Sequence, residues 1–388
     1  LKRITLPAGG AVLATGLLAT GLAGVVQARD DVTTDPMARG TAQASSVATF
    51  WAASNGAALR AASAYTWDAK DVRKVVSKGG VSPDGSPGSA PPIGDERKPV
   101  AKVQNVNLPK TIGKVFFVDG SGRQRWCSAT SIQSHYRNLV ATAAHCVYDT
   151  DSDRDVLANW IFVPGYYQGK APWGIYVGKQ AFTHHDFDVY EDYDRDYAFV
   201  TVYNGIAFDG AKQVGREEYQ RFSGPKRSWG KRYYILPARD VGRLGDNVGG
   251  QGVAWNQPTG RYVRTFGYPA APQPDGSKPY SGVTPKWCYG RTTGKAVGAP
   301  WLKIQEHVAL KCAVTPGYGG GPWLSDYNNN RRLGYVNGVT STFADQDGND
   351  RIDLITSPYF DGETAAIYKA ARNVWSGKVV GPNGELYK

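Results

Sequence analysis

No two cysteines stand as a CxxC pair, no internal repeat is visible, and no basic run is interleaved with aromatics. The first absence argues against a structural zinc site and the last against nucleic acid as a partner. Beyond Val26 no segment is long and apolar enough to span a bilayer, so membrane insertion is not expected. Charged residues reach only 20% and hydrophobic residues 41% of the 388, ordinary proportions for a globular chain. What is plentiful is Gly (47), Tyr (23) and Trp (11), which favours strands and turns over long helices.

The net charge of +11 suits an anionic partner such as a cell-wall polymer, although a solvated basic surface is the plainer reading. Lys2 and Arg3 precede an apolar stretch from Ala11 to Val26, and Val26-Gln27-Ala28 places small residues at a cleavage site. Residues 1–28 therefore read as a secretory signal peptide, with no basic stop-transfer run behind it, and a secreted monomer is expected. Export fits four cysteines, Cys127, Cys146, Cys288 and Cys312, read as two disulfides with three possible pairings.

Residues 29–108 read as a propeptide or N-terminal extension. Its first part is rich in Ala, Ser and Thr, with one or two weak helices within Ser45–Ser77. Residues 79–94 form a Gly/Pro/Ser linker. So few large apolar residues predict little contribution to a core. From Ile112 onward, short β-rich runs such as GKVFFV, NLVATAAH and DYAFVTV are punctuated by turn residues, which predicts an all-β barrel or sandwich. Phe360–Asn373 has Ala, Ile and Tyr at helical spacing and reads as a short C-terminal helix.

The strongest local signal is Val140-Ala-Thr-Ala-Ala-His145-Cys146-Val147. Small residues let the backbone pass close behind an imidazole, and a disulfide from Cys146 would fix the loop that carries it. Cys127, next to strand-like segments, is its natural partner. The string TAAHC resembles the histidine motif of the trypsin/chymotrypsin-like serine proteases. Asp196-Tyr-Ala-Phe-Val fits that family's buried acid, which sets the imidazole tautomer, with Asp194 as competitor. Cys312-Ala-Val-Thr-Pro-Gly-Tyr-Gly-Gly-Gly-Pro-Trp323 resembles the nucleophile turn Gly-x-Ser-Gly-Gly-Pro, with Gly319 where the serine belongs. Cys312, Trp323, the string GKAPWG at 169–174 and GYVNGVTS also resemble a secreted bacterial, Streptomyces-type branch similar to glutamyl endopeptidases.

The resemblance covers roughly 109–375 and implies a protease domain at 109–388 of two antiparallel six-stranded barrels, about 109–225 and 226–375. The cleft between them would take His145 and Asp196 from the first barrel and Gly319 from the second. The amides of Gly317 and Gly319 would form the oxyanion hole. Ser341 would open the substrate-binding strand and Ala313 would floor the specificity pocket, offering no counter-ion for Lys or Arg. No histidine near Thr340 supports glutamyl specificity, and Tyr318 replaces the acid that animal zymogens use on activation. Cys288 and Cys312 would pair beside the pocket, and no cofactor is implied.

Acyl transfer needs a hydroxyl or thiol, and glycine has neither. Thr315 and Ser325 stand too far along the chain to substitute. The sequence thus points to a non-catalytic homologue that binds a peptide or protein ligand in the cleft. The alternatives are a working endopeptidase with another attacking group, and an exported cell-wall-binding protein. Weaker signals are Asp149, Asp151, Asp153 and Asp155, and the string Asp345, Asp347, Asn349, which resembles a calcium loop. The latter lacks the turn glycine and the closing Glu, so solvated acidic turns are the stronger reading. Adjacent His184 and His185 read as surface residues, and His135 and His307 show no metal-ligand spacing.

Overall fold

The computed structural model describes residues 31–66, 73–77, 79–94, 109–150 and 156–388. The signal-peptide reading and Asp151, Asp153 and Asp155 lie outside the described residues. In chain order, the N-terminal part contributes β1 (Val32–Pro36), α1 (Thr41–Ala61), β2 (Ser63–Ala64) and β3 (Gly88–Ala90). The first half follows as β4 (Ile112–Val118), β5 (Gln124–Ile132), β6 (Leu139–Thr142), β7 (Ala158–Pro164), β8 (Tyr176–His184) and β9 (Ala198–Val202). These six pair in the order β8-β9-β6-β5-β4-β7, and β7 pairs back onto β8, which closes a barrel.

β4 and β7 carry consecutive apolar residues because both faces of the sheet are covered there. Val115, Phe116 and Phe117 of β4 are all fully buried, as are Ile161, Phe162 and Val163 of β7. The second half is built from two sheets. One runs through β10 (Gly252–Trp255), β11 (Tyr262–Gly267), β12 (Lys286–Arg291), β14 (Pro322–Asn328) and β15 (Leu333–Val339); the other is centred on β13 (Ile304–Lys311) and β16 (Leu354–Ser357). Trp323, Leu310, Tyr318 and Ile355 fill the second core. The chain closes with α2 (Gly362–Ala371), started by an Asp361–Thr364 capping box inside the helical stretch read from the sequence.

The N-terminal part is more deeply built in than its composition implies. Ala44, Val47, Ala48 and Trp51 recur at the spacing of one helical face, and all four are buried against the barrel. Trp51 packs 5.7 Å from Phe116 and donates its indole N–H to the Asn159 carbonyl at 2.5 Å. β1 pairs antiparallel with β8, and β3, from the Gly/Pro/Ser stretch, pairs antiparallel with β10. Small Ala44 and Ala48 let the helix axis approach the sheet closely, so scarcity of large side chains here does not mean scarcity of packing.

The surface reading of His184 needs correction, and His307 has a structural role. His184 ends β8 and is 2% exposed, because it caps the helical turn His185–Tyr190 that follows it, while His185 is half-buried. Its Nδ1 accepts from the Asp186 amide at 3.0 Å, and its Nε2 lies 3.4 Å from Glu363 Oε2. His307 is fully buried, held between Thr356 Oγ1 and the Tyr193 carbonyl, each at 2.8 Å. The carbonyl fixes Nε2 as the donor, and burial holds the ring below its ordinary pKa, in the neutral form.

Candidate active site

The histidine string ends β6 in a single 3₁₀ turn, Ala144–Cys146, whose residues are all buried. Ala141, Ala143 and Ala144 bring the backbone close beneath the ring, and the Cys127–Cys146 disulfide ties the turn to β5. Across β6, a second 3₁₀ turn, Tyr193–Arg195, delivers Asp196 at the mouth of β9. Asp196 Oδ2 meets His145 Nδ1 at 2.7 Å, and its Oδ1 accepts from the His145 amide at 2.9 Å. Ser341 Oγ donates to the same Oδ2 at 2.6 Å. Burial alone would raise this carboxyl; the His145 charge and the hydrogen bonds from His145 and Ser341 outweigh it and hold the pKa below the ordinary value.

Asp194, the competing acid, does different work. Its Oδ1 accepts from the amides of Gln305 and Glu306 at 2.9 and 2.8 Å, and Arg195 pairs with its other oxygen at 3.1 Å. It fastens the acid-bearing turn to β13 of the second half.

The glycine turn faces the imidazole from the second half. Gly317 (φ +96°) and Gly320 (φ +76°) occupy the left-handed region. A Cβ on Gly320 would sit 2.1 Å from Thr142 Oγ1, one on Gly317 2.6 Å from the Tyr268 carbonyl, and one on Gly321 2.1 Å from the Phe266 carbonyl. Gly319 differs from all three. Its φ is one that any L-residue adopts, and its Cβ vector aims at His145 Nε2, 2.9 Å away. Apart from that ring, no atom of the described residues outside the adjacent chain lies within 4 Å of the vector's end. Three glycines are thus required by the backbone, and the fourth stands where an attacking side chain would project.

Solved structures share this architecture. The chain is similar to the crystal structure of the protease Anisep from Arthrobacter nicotinovorans, at 25% identity and TM-score 0.50, over 69% of this chain and 97% of that one. It is also similar to a thermostable serine protease, AL20, from an extremophilic microorganism, at 24% identity and TM-score 0.51, over 70% of this chain and all of that one. The fold is that of the trypsin-like serine proteases. No family model and no curated protein matches the sequence.

The remaining site residues of the trypsin-like fold are placed as follows. Ser341 sits just past β15, and its hydroxyl serves Asp196 rather than facing a ligand; its amide donates to the Thr356 carbonyl at 2.8 Å. Ala313 is exposed beside the Cys288–Cys312 disulfide, and Tyr280 Oη donates to its carbonyl at 2.6 Å. Among the described residues the amides of Gly317 and Gly319 have no acceptor. Tyr318 turns away into the second core, its hydroxyl 2.9 Å from Thr265 Oγ1. Ser325 Oγ points to the Tyr335 carbonyl within its sheet, and Thr315 is fully buried.

The acidic loop at 345–350 is a network of turns. Asp345 accepts from the amides of Gly348, Asn349 and Asp350, and Asp347 accepts from Asn349. Elsewhere Asp31, His184 and Glu363 bring ligand atoms within 4.8 Å of one another, but the Arg195 guanidinium already pairs with Glu363 at 3.0 Å.

Sequence reasoning missed Ser128 and Lys114, neighbours across the β4–β5 ladder. Ser128 supports the glycine turn from the first half: its amide donates to the Gly319 carbonyl at 2.8 Å and its hydroxyl to the Gly317 carbonyl at 2.7 Å. Nothing around a serine in a strand marks that role, because only the fold brings the partner loop near. Lys114, 2% exposed, carries its ammonium 3.4 Å from the Trp126 ring centre and 4.3 Å from that of Tyr166, with Phe116 and Tyr268 further out. The rings favour the charged form, yet among the described residues no carboxylate pairs with it, and burial pushes its pKa well down.

An amine whose pKa is depressed by folding binds fewer protons folded than unfolded. Stability therefore rises with pH from the depressed value up to the ordinary lysine value of about 10.4. We expect wild type to gain up to about 1.4 kcal/mol per pH unit inside that window. Lys114→Met removes this gain, as urea denaturation between pH 7 and 10 will show. Parallel slopes for the two proteins would refute the assignment.

Proposed function

We propose that this chain is a catalytically silent relative of the trypsin-like serine proteases that binds extended peptide in the cleft between its halves. One observation carries the reading: the Gly319 vector aims at His145 Nε2 and carries no atom to be deprotonated. The imidazole, its acid and the supporting Ser341 are otherwise assembled as acyl transfer requires. Losing the serine from such a set costs about 10⁶ in turnover, roughly 8 kcal/mol of barrier. The Gly317 and Gly319 amides, without an acceptor among the described residues, are left as donors for a peptide carbonyl or C-terminal carboxylate, a feature that needs no side chain.

Two disulfides and the apolar N-terminal stretch support export. Cys312 and Trp323 around the turn support a place in the secreted bacterial branch.

The purified chain is expected to take no covalent label from a fluorophosphonate probe and to leave casein intact. It should bind members of a fluorescent peptide library by anisotropy. Stoichiometric labelling of any hydroxyl, located by mass spectrometry, would overturn the reading.

A further inference from the structure

The cleft wall formed by β5 already holds a peptide. β2 lies parallel to β5, with Ser63 opposite Arg125 and Ala64 opposite Trp126. The Tyr65 amide donates to the Trp126 carbonyl at 2.9 Å, and Arg125 Nη1 donates to Ser63 Oγ at 2.6 Å. Ala64 and Tyr65 are 5% and 6% exposed, so this short stretch is seated and not merely passing over the surface.

The seat belongs to the site. The Ala64 methyl lies 3.0 Å from where a Cβ on Gly317 would be, directly against the turn that carries the two donor amides. The Tyr65 ring lies 6.4 Å from the His145 ring, at 29° to it, and stands edge-on to Phe117 at 5.1 Å. A small residue followed by an aromatic one thus fills the space between the β5 edge, the glycine turn and the imidazole. Upstream, the stretch is anchored by α1 through Trp51, so it is presented to the groove as a tethered ligand.

We propose that the β5 edge at Arg125–Trp126, the Gly317 turn and His145 form a peptide-docking groove, and that this chain fills it with its own Ser63–Tyr65. The groove takes an extended segment parallel to β5, held by the Trp126 carbonyl, with a small residue against Gly317 and an aromatic ring beside His145. An external peptide of that pattern enters only when the resident segment leaves. Tethering sets the resident's effective concentration near the millimolar range, so a free ligand competes at a large disadvantage. This inference rests on the reading of the cleft as a peptide site.

The test uses the full chain and two variants that spare α1: Tyr65→Gly, which removes the ring, and Tyr65→Gly with Ala64→Glu, which also drives a bulky charge against the turn. A fluorescein-labelled peptide of residues 61–66 (Ala-Ala-Ser-Ala-Tyr-Thr) is titrated by anisotropy. Both variants are expected to bind it at least about tenfold more tightly than wild type. Measurable but equal binding to all three would overturn the resident-segment proposal while leaving peptide binding in place. The same variants made with Gly319→Ser give a readout independent of peptide affinity. Fluorophosphonate should label Ser-bearing protein faster once the segment is released, and unchanged labelling rates would overturn the proposal. Faster labelling without any peptide binding would sustain the covering role and defeat the peptide reading instead. Circular dichroism melts verify that each variant is folded.

Discussion

Gly319→Ser is expected to convert the silent cleft into a hydrolase. Activity on an activated ester and labelling by fluorophosphonate should both rise by at least about 10³-fold over wild type, toward a ceiling near 10⁶ set by what loss of the serine costs in this mechanism. The backbone at 319 accepts an L-residue without strain, whereas its three glycine neighbours do not. A Cβ at 2.9 Å from His145 Nε2 is closer than side chains pack, so the imidazole or the turn must shift to admit it. That adjustment keeps the expected gain below the ceiling. The acid is preset, because Asp196 is already ionised, buried and bonded to Nδ1. Adding His145→Ala should return the variant to baseline, and adding Asp196→Asn should lower it by about 10⁴ through the wrong tautomer. If Gly319→Ser stays inert even with Tyr65→Gly, the missing hydroxyl is not the sole defect and the silent-relative reading needs another cause.

Trp51→Ala carries the second large effect. The indole is fully buried between α1 and the barrel, contacts Phe116 and donates to Asn159. Truncating such a side chain costs about 3–5 kcal/mol, from lost transfer free energy and the cavity left behind. A fall in melting temperature of about 4–6 °C should follow. The whole chain should still unfold in one transition if α1 and the barrel share a core. A separate early transition, or a melt identical to wild type, would show that α1 is a loosely docked appendage.

How far the sequence could be read depended on whether a signal was local. His145, Cys146 and the glycine turn are contiguous strings whose chemistry and spacing are visible in a single line. The Cys127–Cys146 and Cys288–Cys312 bonds are where the cysteine positions and the resemblance put them. The Asp-Tyr-Ala-Phe-Val string favours Asp196, but what Asp194 does instead is visible only in three dimensions, where it is engaged by Gln305 and Glu306, more than a hundred residues on. The helix carrying Trp51 was undervalued because its buried face is largely alanine, and composition does not tell a thin, close-packed helix from an unstructured tract. His184 shows the limit of adjacency: next to His185 it looks like surface, but the strand ends between the two, and His184 is buried where it caps the helical turn that follows. Lys114 gives no warning at all, since charge predicts exposure and only the ring cluster around it offers an alternative to water.

The links across the cleft have a mechanical consequence. Ser128 grips the glycine turn, Ser341 reaches Asp196, Asp194 clasps β13, and His307 holds the Tyr193 carbonyl. Each stitch joins one half of the molecule to the other, and each passes through an element that carries or adjoins a site residue. Prising the halves apart would break several buried bonds at once, so the mouth cannot widen like a clam shell to admit a guest. Its dimensions are fixed before anything arrives, and only a tenant lying along the rim is free to come and go.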